Sequence, residues 1–232
     1  MSSENTELLV TPVISPVVWV AMLVGMNGAF LAAAWSAGLL GPLLAGSPEA
    51  YYYSLACVSA LTLAVSLAAL RGIGVDFRGA WRNWAENLPR DIRLGILFFA
   101  AELSVTLLVQ WGWSLFGAPP QDKATAMVRV IAGKGAMSAA VMILVVCVLV
   151  PVAEELFYKR LLYTGVRREM GALKAVVLCS AVFALSHSPH AALLIFPGSI
   201  ISHFAYERYR RLPINIVMHS LINTSAVIAV FL

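Results

Sequence analysis

The stretch AMSAAVMILVVCVLVPVAEELFY, residues 136–158, decides the fold. From Ala136 to Ala153 it carries no charge, and crossing the hydrocarbon core of a bilayer takes about 20 such residues in a helix. A helix that is apolar all round belongs inside a large core or a membrane. The run then ends on two adjacent carboxylates, Glu154 and Glu155, still surrounded by apolar residues.

The rest of the chain agrees with the membrane reading. Of its 232 residues, 60% are hydrophobic and 12% charged, and the mean hydropathy is +0.84. That is too little charge to cover the surface of a soluble domain. Apolar runs predict spans near 13–35, 51–70, 94–116, 136–158, 173–187, 190–206 and 213–231. The fifth and sixth share the Ser188-Pro189 break and are expected to form a bent pair. The expected fold is therefore all-α: a polytopic transmembrane bundle of about seven helices (six to eight), with one or two interfacial amphipathic helices. Residues 1–135 supply N-terminal helices and interfacial segments, residues 136–232 a C-terminal catalytic core, and together they form one integrated membrane domain.

Net charge is +4, but its distribution excludes nucleic acid as a partner. Arg71, Arg78, Arg82, Arg90 and Arg93 lie between the second and third spans. Lys159, Arg160, Arg167, Arg168 and Lys174 end or follow the fourth, and Arg208, Arg210 and Arg211 precede the seventh. With alternating spans all of these face one side, leaving Lys123, Arg129 and Lys134 for the other. This positive-inside pattern predicts a cytoplasmic N-terminus and an outer C-terminus. Glu4 and Glu7, without a basic residue before the first span, argue against a cleaved signal. Cys57, Cys147 and Cys179 lie apart in apolar runs and read as packing residues.

Asp76–Arg93 interleaves Phe77, Trp81 and Trp84 with arginines and predicts a helix in the headgroup zone. Ala124–Lys134 predicts a second surface helix. Glu102 stands as a lone carboxylate in the third span and is expected to pair with an arginine.

Ionisable groups inside a bilayer are costly, which makes them functional candidates. Adjacent Glu154 and Glu155 repel each other, and a carboxylate in that situation suits a general base. Lys159 stands four residues after Glu155, the spacing of a helical ion pair, which leaves Glu154 about 100° round the helix. A structural carboxylate–lysine cluster is the competing reading. Phe183-Ala-Leu-Ser-His187 ends the fifth span, and His219-Ser-Leu-Ile-Asn223 puts two polar side chains one turn apart in the seventh. Interhelical hydrogen bonding would explain these histidines equally well. Depth joins them: counted from the nearest basic cluster at about 1.5 Å per residue, Glu154, His187, Asn223 and His219 lie roughly 12–20 Å into the bilayer.

In order and spacing, these elements resemble the EExxxR, FxxxH and HxxxN signatures of the CPBP family of intramembrane proteases, named for CAAX prenyl endopeptidases and bacteriocin-processing enzymes. The resemblance covers about residues 136–231. Lys159 stands at the family's arginine position and retains the charge without the bidentate fork. The resemblance implies an intramembrane endopeptidase acting on a membrane-associated protein or peptide, such as a sorting or anchor segment or a leader peptide. Glu154, with Glu155 beside it, and His187 would activate a water, His219 and Asn223 would stabilise the oxyanion, and Lys159 would support Glu155. A metal-free mechanism is expected; the alternative is Zn2+ held by Glu154, His187 and His219, although no HExxH is present. The expected location is the bacterial cytoplasmic membrane, with lipid and a peptide substrate as partners. The alternative function is a non-catalytic immunity or scaffold protein of the same family. A proton-coupled transporter would need inverted repeats, and the sequence contains none.

Overall fold

A computed structural model describes residues 45–117, 123–187 and 189–232, together with Trp35, Gly38, Gly41 and Pro42. Apart from Trp35, the expected first span at 13–35 lies outside the described residues, as do Glu4 and Glu7. The described elements are α1 (Pro48–Gly72), α2 (Phe77–Ser114), α3 (Lys123–Ala132), α4 (Ala136–Met170), α5 (Ala172–Leu185), α6 (Pro189–Tyr209) and α7 (Leu212–Ala229). Four of them, α1, α2, α4 and α7, are long and apolar enough to cross a bilayer. The all-helical bundle expected from the sequence is the one observed.

Helix α4 is the axis of the bundle. From Glu155 to Tyr163 every residue except Arg160 is buried, so this stretch is enclosed on all sides. Two parts are π-helical, Val145–Leu149 and Glu155–Tyr163. Hydrogen bonds there reach five residues instead of four, and the turn widens. Two apolar clusters pack along α4. One joins Met142, Val145, Cys147 and Val150 to α1, α3 and the end of α7. The other joins Leu156, Phe157, Tyr158 and Leu161 to α5, α6 and the start of α7. Glu154 and Glu155 lie between the two.

Two expectations need correction. The headgroup helix at 76–93 and the span at 94–116 are one continuous helix, α2, 38 residues long with Pro89 inside it. An interior proline removes one backbone hydrogen bond and tends to break a helix. Here tertiary contacts just beyond it hold the axis: Asp91, wholly buried, takes the fork of Arg211, Nε to Oδ1 and Nη2 to Oδ2 both at 2.7 Å, and Phe98 packs on Tyr209 with ring centroids 5.9 Å apart. Phe77 and Trp81 remain exposed on the N-terminal part. The fourth span also does not stop at Tyr158, because α4 runs on to Met170. It ends at Gly171, whose φ of +80° turns the chain into α5.

Helices α5 and α6 form the expected bent pair, with Ser186 and His187 at its turn. The α6–α7 connection is fixed by Glu207, which accepts from the Tyr163 hydroxyl at 2.6 Å and from Arg167 Nε at 3.0 Å and also receives Arg210. That grip holds Arg210 in a left-handed conformation, φ +54°, uncommon outside glycine. Buried Asn215 ties α7 to α6 through the Ser202 carbonyl at 2.7 Å and hydroxyl at 2.9 Å. At Gly95, α2 lies so close to α7 that an added Cβ would sit 2.7 Å from Val217 and 3.0 Å from the Ile214 carbonyl. Gly95→Ala must therefore part α2 from α7, with an expected loss of about 1–3 kcal/mol. Thermal unfolding of the detergent-solubilised protein measures it, and an unchanged Tm would show that the two helices are not locked at this point.

Candidate active site

The site begins with Glu155, a 1% exposed carboxylate that would be very costly in an apolar bundle if left alone. It is not alone. Its Oε2 lies 3.2 Å from Lys159 Nζ and its Oε1 is 3.0 Å from His219 Nδ1. The widened turn of α4 brings Lys159 nearly above Glu155, and the lysine is itself 1% exposed. Partly buried Arg160, one residue on, makes no ion pair with Glu155.

His219 lies between the two glutamates of α4. A carboxylate only accepts, so Nδ1–H must donate to Glu155. The other ring nitrogen, Nε2, faces Glu154 Oε2 at 3.7 Å, slightly beyond hydrogen-bond length. That Glu154 oxygen is buried and has no hydrogen-bond partner. An imidazole lone pair and a carboxylate facing each other repel, so one proton between them settles the pair.

His187 is fixed in the same way at the α5–α6 turn. Its Nδ1 lies 2.9 Å from the Phe183 carbonyl, which can only accept, so Nδ1 carries the hydrogen. In the neutral ring, Nε2 then keeps its lone pair. No hydrogen bond or ion pair joins His187 to Glu154. Instead the Phe183 ring stands between the histidines, 5.1 Å from His187 and 6.0 Å from His219 by centroid. Lys159 Nζ lies 5.1 Å from the centre of the same ring, and Tyr158 packs edge-on at 5.0 Å. Phe183, which the sequence offers only as a motif position, is the packing hub of the site.

Asn223 has a backbone task. Its Nδ2 donates at 2.8 Å to the carbonyl of Val146. In the first π-helical stretch the Val150 N–H bonds to Val145, and five residues after Val146 stands Pro151, which has no N–H to give. The Val146 carbonyl is thereby left without a helical donor, and Asn223 supplies one. Its second amide hydrogen remains available.

Glu102, expected to pair with an arginine, does not: none of the ion pairs among the described residues includes it. It lies against Gly198 of α6 and within electrostatic range of His219, Lys159 and Glu155. His203 bonds a neighbouring helix: Nδ1 meets Ser180 Oγ of α5 at 3.0 Å and the Ser199 carbonyl at 2.9 Å. Cys147 and Cys179 are buried and Cys57 is exposed, all with free thiols.

The donor arrangement does not fit a zinc ion held by Glu154, His187 and His219. Among the described residues, no three His, Cys, Asp or Glu side chains are grouped to hold a metal.

A model of the family described as Type II CAAX prenyl endopeptidase Rce1-like matches residues 136–225. No curated protein and no solved structure matches the chain. The matched segment holds Glu154, Glu155, Lys159, His187, His219 and Asn223 together, and over residues 136–225 the chain is similar to that family.

Proposed function

We propose that this chain is an intramembrane endopeptidase that hydrolyses a peptide bond of a membrane-associated protein or peptide, using a water activated by Glu154 and His187. The observation that carries the reading is the buried Glu154 oxygen without a partner, beside His219, within the segment that matches a peptidase family. The match supports a CAAX-type intramembrane protease in general, and four apolar helices support an integral membrane protein. The family description names prenylated CAAX segments; sorting or anchor segments and leader peptides belong to the same chemical class, a peptide presented at a membrane. The basic ends of α1, α4 and α6 support a cytoplasmic N-terminus.

Glu154 takes a proton from water, and the hydroxide attacks the scissile carbonyl. His187 offers a second acceptor at Nε2, since Nδ1 is committed to Phe183. The negative charge that develops on the carbonyl oxygen is met by His219 Nε2–H and the second amide hydrogen of Asn223. Lys159 and Glu155 do not touch the substrate: they fix the ring of His219, as the third member of a catalytic triad orients its histidine. The proton held on Glu154 then passes to the leaving amine.

Glu154→Gln separates this reading from an immunity or scaffold role. Internally quenched peptides, with and without a C-terminal prenyl-cysteine, report hydrolysis by the purified protein. The substitution lowers turnover by roughly 100-fold or more and leaves Tm unchanged, because the lost charge has no bonded partner. Full activity in Glu154→Gln would sink the proposal. Asn223→Ala behaves differently: it lowers turnover and, by orphaning the Val146 carbonyl, stability by about 1–3 kcal/mol in thermal unfolding. Because the donors are not gathered for zinc, hydrolysis persists after incubation with 1,10-phenanthroline and removal of metal; loss of activity restored by Zn2+ alone would overturn the metal-free mechanism.

A further inference from the structure

Ser186 stands directly before His187, and neither the motifs nor the mechanism gives it a task. The last four carbonyls of a helix lack a regular helical donor, and that of Phe183 lies in the last turn of α5. The N–H four residues on, that of His187, bonds to Ala184 at 3.1 Å instead. The Ser186 N–H reaches Phe183 only at 3.3 Å, while it also bonds to Val182 at 3.1 Å. Two side chains take up the Phe183 carbonyl more closely: Ser186 Oγ–H donates to it at 2.7 Å and His187 Nδ1–H at 2.9 Å. The two donors lie 3.3 Å from each other.

Three polar atoms thus form a closed triangle that holds two hydrogens. One corner is a carbonyl oxygen, which only accepts. Were Nδ1 to lose its hydrogen, its lone pair would face the carbonyl lone pairs at 2.9 Å, and the two would repel. The short bond to Phe183 spends the hydroxyl hydrogen there, so Ser186 turns a lone pair towards Nδ1–H. His187 therefore has two acceptors for one hydrogen, a backbone carbonyl and a side-chain hydroxyl. Ser186 is itself exposed, so its hydroxyl fills no gap in the packing. What it adds is direction. With the carbonyl alone, the ring would hang from a single contact at the point where α5 ends and the chain turns.

We propose that Ser186 is a positioning residue for His187: its hydroxyl, anchored on the Phe183 carbonyl, holds the imidazole with Nδ1–H towards the backbone and Nε2 presented to the attacking water. When Nε2 takes a proton the ring becomes a cation with Nδ1–H still bonded. Hydrogen bonds from a charged donor are about twice as strong as neutral ones, so both acceptors strengthen as the proton arrives. Stabilisation that grows during the reaction raises turnover and leaves binding alone. The effect on catalysis rests on the peptidase reading; the effect on the tautomer does not.

Histidine 15N shifts distinguish a protonated ring nitrogen from a bare one, and the chain contains only four histidines. The His187 signals of the detergent-solubilised protein are identified by their loss in His187→Asn. In the wild type they report a protonated Nδ1 and a bare Nε2. Ser186→Ala draws the two shifts together as the second tautomer becomes populated, and it lowers turnover of the quenched peptides about ten-fold with KM within about two-fold. Ser186→Thr, which keeps the hydroxyl, restores both, and Tm is the same in all three proteins. Unchanged His187 signals in Ser186→Ala overturn the proposal. So does a fall in turnover without a change of tautomer, which gives the hydroxyl a different task, and so does a failure of Thr to restore either readout. Hydrolysis that survives Glu154→Gln would instead overturn the peptidase reading and leave the tautomer measurement standing as the test of Ser186.

Discussion

The site depends on one buried carboxylate. Glu155 is shielded from solvent; one oxygen accepts from His219 and the other lies 3.2 Å from the Lys159 ammonium, so its two oxygens are constrained from α7 and from α4 itself. Charge taken into an apolar interior is destabilising by several kcal/mol unless matched closely. The match sets geometry as well as energy. Lys159 must point along α4 to reach Glu155, which lays its ammonium over Phe183 of α5. His219 must present Nδ1–H to the same carboxylate, which turns Nε2 to Glu154. The neighbouring glutamate is thereby left with an oxygen that nothing satisfies, and reactivity in the proposed mechanism is the residue of that arrangement.

The backbone follows the same rule, because polar groups within a bilayer must find partners inside the protein. Pro151 removes a donor from α4 three residues before Glu154. The π-helical stretch before it moves the resulting gap to Val146, and Asn223 fills it from α7. At the far end of the second stretch, Thr164 Oγ1 reaches the Lys159 carbonyl at 3.2 Å. Wide turns on both sides of Glu154 are thus tied to side chains that repair them. The amide of Asn223 and the ring of His219, one turn apart on α7, grip α4 on either side of the proposed base.

These relations were unequally legible in the sequence. Apolar runs long enough to cross a membrane stand out because hydrophobicity is local, and so does the Glu155–Lys159 pair, whose partners share one helix. What spacing hid was anything decided by a second helix. Glu102 read as isolated because its neighbour Gly198 is about a hundred residues away in the chain, although the stripe Asp91–Gly95–Phe98–Glu102 already marked its face. The backbone role of Asn223 had a signal in Pro151, but only a known π register shows which carbonyl the proline orphans. The continuity of α2 through Pro89 had none, since it depends on Arg211 gripping Asp91.

That grip explains why the site assembles at one depth. A helix that slips by one residue moves about 1.5 Å and rotates about 100°, enough to take a side chain off its face. The clamps that prevent such slips gather at the basic end of the bundle. Arg211 holds Asp91 and Asn83 there, and Glu207 collects Tyr163, Arg167 and Arg210. Each joins a helix that bears a site residue to a neighbour: α7 to α2, and α4 to α6. Ion pairs are cheapest to form at this level, where the side chains are still partly solvated and the arginines are required by topology in any case. Deeper in, the close contact at Gly95 and the amide of Asn215 carry the same register onward without charge. By the level of Glu102, Glu155 and His219 the helices no longer have freedom to choose their faces, and the few charges that remain meet each other because they have been brought there already aligned.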